Sequence, residues 1–114
     1  MEGAVDIKEG LEGDVLFLKI SGRLDAISSP AAEKKILDHI TNGQHKVLLD
    51  FSEVDYLSSA GMRLLLRTSK KLKTVSGKLI VCSVTSNVLD VLKMSGFDHV
   101  IDLSPNKEEA LSKF

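Results

Sequence analysis

Two adjacent hydroxyl groups, those of Ser58 and Ser59, are the side chains whose type and position most favour a function in this sequence. They lie between an apolar segment, residues 47–51, and a segment with the spacing of an amphipathic helix that starts near Ser59. A serine at the start of a helix commonly accepts a hydrogen bond from a free backbone N–H group. That role explains one of the two hydroxyls and leaves the other unexplained.

The start of a helix also tolerates a phosphate group, because partial positive charge and free N–H groups lie there. A phosphoserine at this place would add about −1.5 to −2 charge near neutral pH. We expect Ser58 to be the cap, with its oxygen accepting the N–H of residue 60 or 61. Ser59 then becomes the first helical residue, with an outward side chain. From the residues alone, a plain cap and a modification site both remain open.

Patterns typical of enzymes are weak elsewhere in the chain. The histidines, His39, His45 and His99, have no second His, Cys or carboxylate at the spacing of metal ligands. Cys82 lies in an apolar segment, where a free cysteine packs as a small hydrophobic residue. No glycine-rich phosphate-binding loop is present in the sequence. We therefore predict no catalytic residue, no metal and no cofactor.

The length and composition are typical of one globular domain over residues 1–114. Hydrophobic residues make up 43%, charged residues 27%, and the net charge is −1, so nothing favours direct binding to nucleic acid or a membrane surface. One cysteine suits a reducing compartment, and the first residues lack the pattern of a signal peptide. We expect a soluble cytoplasmic protein.

Hydrophobic periodicity predicts the element order β-β-α-β-α-β-α-β-α, with the first two strands forming a hairpin. The order indicates an α/β fold with a mixed, mainly parallel sheet and packed helices. Ser-Pro pairs at residues 29–30 and 104–105 predict the starts of the first and last helices. The last strand is expected at residues 100–103. The face of the second helix that we expect to be buried contains Gly61, Leu64, Leu65, Thr68 and Leu72.

Several separated segments resemble the STAS domain, as found in bacterial anti-sigma-factor antagonists. Residues 22–26 (GRLDA) resemble the family's G-x-L-D segment, and residues 56–63 (YLSSAGMR) resemble its phosphorylation loop. Residues 47–52 and 78–84 resemble its third and fourth strands, and residues 94–97 (MSGF) resemble the M-S-G-hydrophobic segment that follows. The agreement in order and spacing extends over nearly the whole chain.

The resemblance implies a protein-binding switch and not an enzyme. In such antagonists the partner is an anti-sigma factor that is also an ATP-dependent serine kinase, and it phosphorylates the loop serine. The unphosphorylated antagonist binds this partner and releases a sigma factor, and a metal-dependent serine phosphatase resets the switch. Alignment on Gly61 puts the acceptor at Ser59, with Asp25 near it. The implied partner-binding residues are Asp25, Ser58, Ser59, Met62 and Arg63.

One position departs from the family pattern, since Ser58 stands where an aspartate usually precedes the acceptor. An adapter that works without phosphorylation, as a subunit of a lipid-transport ATPase or of a signalling scaffold, therefore stays open. A sensor of a small ligand is a third class, which only the analogy of fold supports. We expect the contact surface to centre on the helix opened by Ser59, with Met62, Arg63 and the loop 25–29 on its exposed edge, although the spacing also allows Met62 in the core. Gly61 is expected to permit a close approach, either of the helix to the sheet or of the partner to the helix.

Overall fold

The computed structural model describes residues 5–114, which form a five-stranded sheet with helices on both faces. The strands are β1 Val5–Glu12, β2 Val15–Leu24, β3 Lys46–Leu57, β4 Lys78–Cys82 and β5 Asp102–Ser104. The helices are α1 Ser29–Thr41, α2 Ser59–Thr74, α3 Ser86–Met94 and α4 Lys107–Leu111, and a 3-10 helix covers Phe97–His99. The order of strands and α-helices confirms the one predicted from the sequence.

The strands are arranged in the order β1-β2-β3-β4-β5 across the sheet. β1 and β2 form the antiparallel hairpin, and every other neighbouring pair is parallel. The parallel strands are joined by α1, α2 and α3, as crossover connections require. The predicted mixed, mainly parallel sheet is therefore confirmed, and the carboxyl ends of β2, β3 and β4 lie at one edge.

The larger part of the core lies between the sheet and α1, α2 and α3. The side of α2 that faces this core consists of the five residues predicted for it: Gly61, Leu64, Leu65, Thr68 and Leu72. A smaller cluster on the other face packs Val15, Leu48, Ile80 and Cys82 against Ala110 of α4. Burial raises the pKa of the Cys82 thiol, which packs there as an apolar group. Within residues 5–114, no helix is long and apolar enough to cross a membrane.

The C-terminal elements begin later than the sequence pattern predicted. Gly96 adopts a left-handed conformation with φ 79° and leads into the 3-10 helix, which delays β5 to Asp102–Ser104. Ser104 is still paired with Cys82 in the sheet and cannot open a helix there. The start of α4 is capped instead by Asn106, whose side chain accepts the N–H of Glu109 at 2.8 Å.

The start of α1 also differs by one residue from the expected start. Ser28 occupies the cap position, and Ser29 is already the first helical residue and is buried. The turn before it is organised by Asp25, whose carboxylate accepts the N–H groups of Ile27 and Ser28, each at 3.0 Å. A side chain four residues before the helix thus replaces the Ser29 cap that the sequence suggested.

Candidate functional site

The carboxyl ends of β2 and β3 lie side by side. Leu24 and Leu57 are partners in the register of this parallel pair, so both chains leave the sheet at the same level. Asp25 begins the β2–α1 loop next to the point where Ser58 begins the connection to α2. Ligands of open α/β sheets commonly bind at this edge, beyond the carboxyl ends of the strands. The register thus brings two distant sequence segments together at one surface.

Ser58 has a structural role at this junction. Its backbone is extended, with φ −88° and ψ 176°, and its side chain accepts the N–H of Gly61 at 3.4 Å. The N–H and the hydroxyl of Ser58 both donate to the carbonyl oxygen of Leu24, at 2.9 and 3.1 Å. The predicted cap on residue 60 or 61 is therefore found. The hydroxyl of Ser58 both donates a hydrogen bond and accepts one within the fold.

Ser59 is the first residue of α2, and its side chain is exposed. Among residues 5–114, no group accepts a hydrogen bond from its hydroxyl or donates one to it. The first turn of α2 also contains no acidic residue. The hydroxyl is thus presented to solvent at the positive end of a 16-residue helix.

Gly61 allows α2 to approach the sheet closely. A Cβ atom at this position would lie 2.5 Å from Cδ1 of Leu57 and 2.8 Å from the carbonyl oxygen of Leu24. The same carbonyl accepts the hydroxyl of Ser58, so a side chain at residue 61 would clash with the group that orients the helix cap. The close approach expected of Gly61 is therefore one between the helix and the ends of the strands.

Asp25 holds the neighbouring loop. Besides the two hydrogen bonds that it accepts, its Oδ2 lies 3.8 Å from Nε of Arg23. The N–H of Ser28 is the main cause that holds the pKa of the Asp25 carboxyl below its usual range. The resemblance implied that Asp25 lies near Ser59. Its backbone does leave the sheet beside Ser58, while its carboxylate is directed into its own loop.

Met62 and Arg63 occupy different environments on the first turns of α2. Met62 is half-buried and packs against the core, with its sulfur 3.5 Å from the hydroxyl of Ser95. Arg63 is exposed, and it forms no ion pair with any carboxylate of residues 5–114. Of the two residues expected on the exposed edge, Arg63 lies there and Met62 is directed towards the core.

Two exposed apolar side chains lie near this surface: Ile27 belongs to the loop 25–29 that was expected on the contact edge, whereas Met94 was not singled out from the sequence. Ile27, in the β2–α1 loop, has 87% of its surface exposed, and Met94, at the end of α3, has 89% exposed. Met94 precedes Ser95, the residue that contacts Met62. A large apolar residue in a short loop between polar residues, such as Ile27 between Asp25 and Ser28, was the signal available for this feature. Such exposed side chains often belong to binding surfaces.

The exposed hydroxyl of Ser59 can serve as an acceptor group for another protein. Among residues 5–114, neither a histidine nor a carboxylate lies within hydrogen-bonding distance of Ser59. A nucleophilic serine is ordinarily activated by such a neighbouring base. The same residues contain no group of three potential metal ligands. The geometry can present one hydroxyl to the active site of another protein.

A family model described as the STAS domain matches residues 7–110 of this sequence. The chain belongs to the STAS domain family. The match extends from β1 into α4 and includes the junction of β3 and α2. The resemblance read from separated sequence segments is therefore confirmed.

Relatives of this STAS domain include proteins named as anti-sigma factor antagonists. BtrV of Bordetella bronchiseptica is 29% identical over 100 residues, which cover 88% of this chain and 86% of that protein. The anti-sigma-B factor antagonist of Bacillus subtilis is 25% identical over 104 residues, which cover 91% of this chain and 93% of that protein.

Solved structures confirm the STAS fold. The anti-sigma factor antagonist SpoIIAA in its unphosphorylated form superposes with a TM-score of 0.80 at 21% identity, with 95% of each chain covered. The phosphorylated form of SpoIIAA, described as a Bacillus cell fate determinant, superposes with a TM-score of 0.72 at 20% identity. That superposition covers 95% of this chain and 98% of the other.

Proposed function

We propose that this STAS domain is an anti-sigma factor antagonist whose binding to its partner is switched by phosphorylation of Ser59. The names of its relatives support the antagonist class, and the existence of SpoIIAA in two phosphorylation states supports a switch of this kind. The observation that carries the proposal is the different use of two adjacent hydroxyls. Ser58 is engaged by Leu24 and Gly61, whereas Ser59 is exposed at the helix start.

A phosphate on Ser59 would leave the fold intact. The Ser59 hydroxyl makes no hydrogen bond with the rest of residues 5–114, so its modification would remove none. The positive end of α2 would offset part of the added charge. The surface would nevertheless change by about −1.5 to −2 charge at a place where the first helical turn has no acidic residue. A partner fitted to the bare hydroxyl would then be repelled.

The proposed cycle has two partners. The unphosphorylated chain binds an anti-sigma factor that is also an ATP-dependent serine kinase, and a sigma factor is released. Phosphorylation by that kinase ends the binding, and a metal-dependent serine phosphatase restores it. In this role the chain is not an enzyme, contacts neither nucleic acid nor membrane directly, and works in the cytoplasm, where sigma factors act.

The proposed contact surface combines polar and apolar groups around the start of α2. Arg63 and Ser59 supply its exposed polar part, and the half-buried Met62 packs the same helical turn against the core. The exposed side chains of Ile27 and Met94 widen it with apolar area that a partner can bury. Asp25 holds the β2–α1 loop in place, and Ser58 holds the junction of β3 and α2.

A second candidate is an adapter that binds another assembly, such as a lipid-transport ATPase or a signalling scaffold, without phosphorylation. The observation that favours it is Ser58 itself, because the family's aspartate before the acceptor is replaced here by a hydroxyl that is used in the fold. A kinase that recognises the carboxylate would find none at this position.

The test combines capture with mapping of the phosphorylated residue. The full chain is used to isolate a partner from the native cell, and the purified partner is then incubated with the chain and ATP before mass spectrometry. Phosphate on Ser59 supports the switch, and phosphate on Ser58 alone contradicts it. A transport ATPase with no phosphate transfer supports the adapter. Ser86 is a matched control, because it is also an exposed first helical residue behind a hydroxyl residue, Thr85.

A further inference from the structure

Arg63 lies one helical turn after Ser59, and both side chains are exposed on α2. Residues four apart on a helix are neighbours at its surface. Long side chains on a helix also lean back towards the preceding turn, that is, towards the N-terminus. The guanidinium of Arg63 can therefore reach the space next to the hydroxyl of Ser59 without any change in the backbone.

Arg63 differs from the other two arginines of the chain. Arg67, one turn further along α2, is held by Glu33 through two hydrogen bonds of 2.7 and 2.6 Å. Arg23 lies 3.8 Å from Asp25 and over the ring of Tyr56 at 4.1 Å. Arg63 alone has no carboxylate partner among residues 5–114. Its positive charge is thus available for an anion that residues 5–114 do not supply at this place.

We infer that Arg63 is the internal counter-ion of a phosphate group on Ser59. The inference rests on the proposed phosphorylation of Ser59 and adds to it how the phosphate is held. A guanidinium binds two phosphate oxygens through parallel charge-assisted hydrogen bonds, which an exposed arginine at this spacing can supply. The pair with Arg63 would direct the phosphate along α2.

With this pair, phosphorylation would change two charges on the contact surface. Phosphorylation adds negative charge at Ser59, and it also withdraws the positive charge of Arg63 from solvent. The unphosphorylated chain therefore offers a free guanidinium to a partner, which suits an acidic group on that partner. The phosphorylated chain offers neither the bare hydroxyl nor the free cation.

The test measures the phosphate directly and needs no kinase. Phosphoserine is placed at residue 59 during synthesis of the full chain, and phosphorus NMR follows its second ionisation, which lies near pH 6 in a free phosphoserine. A bound guanidinium favours the dianion. We therefore expect a phosphate pKa lower in the wild-type chain than in Arg63→Gln by about 0.5 pH unit. Arg63→Lys should lie between them, because it keeps the charge and loses the paired hydrogen bonds.

Arg67→Gln is the matched control, since it removes the same charge from the same helix about 12 Å from Ser59 along the axis. At that distance we expect the phosphate pKa to stay within about 0.1 pH unit of the wild-type value. Equal values in wild type and Arg63→Gln, or an equal change in Arg67→Gln, would overturn the counter-ion. A kinase that leaves Ser59 unmodified would contradict the proposed function and leave this measurement unaffected.

Discussion

The carbonyl oxygen of Leu24 accepts two hydrogen bonds from Ser58, one from its N–H group at 2.9 Å and one from its hydroxyl at 3.1 Å. The same hydroxyl accepts the N–H of Gly61. Ser58 therefore joins the end of β2 to the start of α2. The position of the neighbouring Ser59 at the surface depends on this junction.

Ser58→Ala should lower the free energy of unfolding by about 1–2 kcal/mol, because one change removes a helix cap and a second hydrogen bond of the same hydroxyl. Urea unfolding at neutral pH measures this loss. Ser59→Ala is the matched control and should change the stability by less than about 0.5 kcal/mol. Equal losses in the two variants would show that the hydroxyls do not differ in their structural role.

Gly61→Ala should be destabilising by about 1–3 kcal/mol, although alanine is intrinsically the better helix former by about 1 kcal/mol. The reason is the added Cβ, which would lie 2.8 Å from the backbone carbonyl of Leu24. The shift of unfolding midpoint in urea measures the effect. Gly10→Ala in β1 is the control, because no atom lies within 4 Å of a Cβ added there. A Gly61→Ala variant more stable than wild type would contradict the close approach.

Ser59→Ala should bind the partner as wild type does and accept no phosphate, whereas Ser59→Glu should fold normally and bind at least about tenfold more weakly. The carboxylate introduces charge at the proposed contact without disturbing the helix start, where negative charge is favourable. Calorimetric titration with the purified partner measures both affinities. Ser112→Glu, at the end of α4 on the other face of the sheet, controls for net charge. Equal weakening by Ser112→Glu would argue against a contact at Ser59.

Arg63→Glu should weaken binding to the partner and change the free energy of unfolding by less than about 0.5 kcal/mol, because Arg63 is exposed. Met62→Glu should instead lower the stability by about 1–2 kcal/mol, since its side chain is half-buried against the core. Melting curves beside binding titrations separate the two effects. A stable Met62→Glu variant would show that this side chain does not support the helix as the packing indicates.

The contribution of Asp25 to stability should depend on pH. The N–H of Ser28, followed by that of Ile27, holds the pKa of its carboxyl below the usual range in the folded chain. Its contribution is therefore complete above the pKa of the unfolded chain, about 3.9, and is lost as the pH falls through the lower folded value. Asp25→Asn should be less stable than wild type at neutral pH, and the difference should disappear in acid.

Urea unfolding at about pH 7, 5 and 3 follows this difference between wild type and Asp25→Asn. Asp90→Asn controls for the change in net charge, because Asp90 is exposed on α3 and has no ion-pair partner among residues 5–114. A difference for Asp25→Asn that stays constant down to pH 3 would contradict the role of the ionised carboxylate in the loop.

Features set by local periodicity and local chemistry were predictable from the sequence. The buried side of α2 repeats at helical spacing, and the structure buries the residues expected on it. The cap by Ser58 was also predictable, because a hydroxyl can reach the N–H three residues later within a single turn. The family resemblance depended on such local segments occurring in one order.

Features set by distant contacts were not predictable in the same way. The burial of Met62 depends on its packing against the core, where Ser95 at the end of α3 also contacts it, and the exposure of Ile27 depends on how the β2–α1 loop is held by Asp25. The late start of β5 reflects the 3-10 helix after Gly96, which has no apolar repeat in the sequence. Arg63 also became distinctive only when Arg67 was found in its pair with Glu33.

The cap of α2 has a consequence for the order of folding. A helix cap is ordinarily made within one turn, but the hydroxyl of Ser58 is oriented here by a carbonyl 34 residues earlier in the chain. Its geometry is reached only after β2, α1 and β3 have closed as one crossover unit, a loop closure that carries an entropic cost. In a chain in which β2, α1 and β3 have not yet packed together, the start of α2 is uncapped and Ser59 lies in an unfolded segment. A kinase that recognises the capped start of α2 would therefore phosphorylate only folded chains. Phosphorylation of Ser59 would then also indicate that folding is complete.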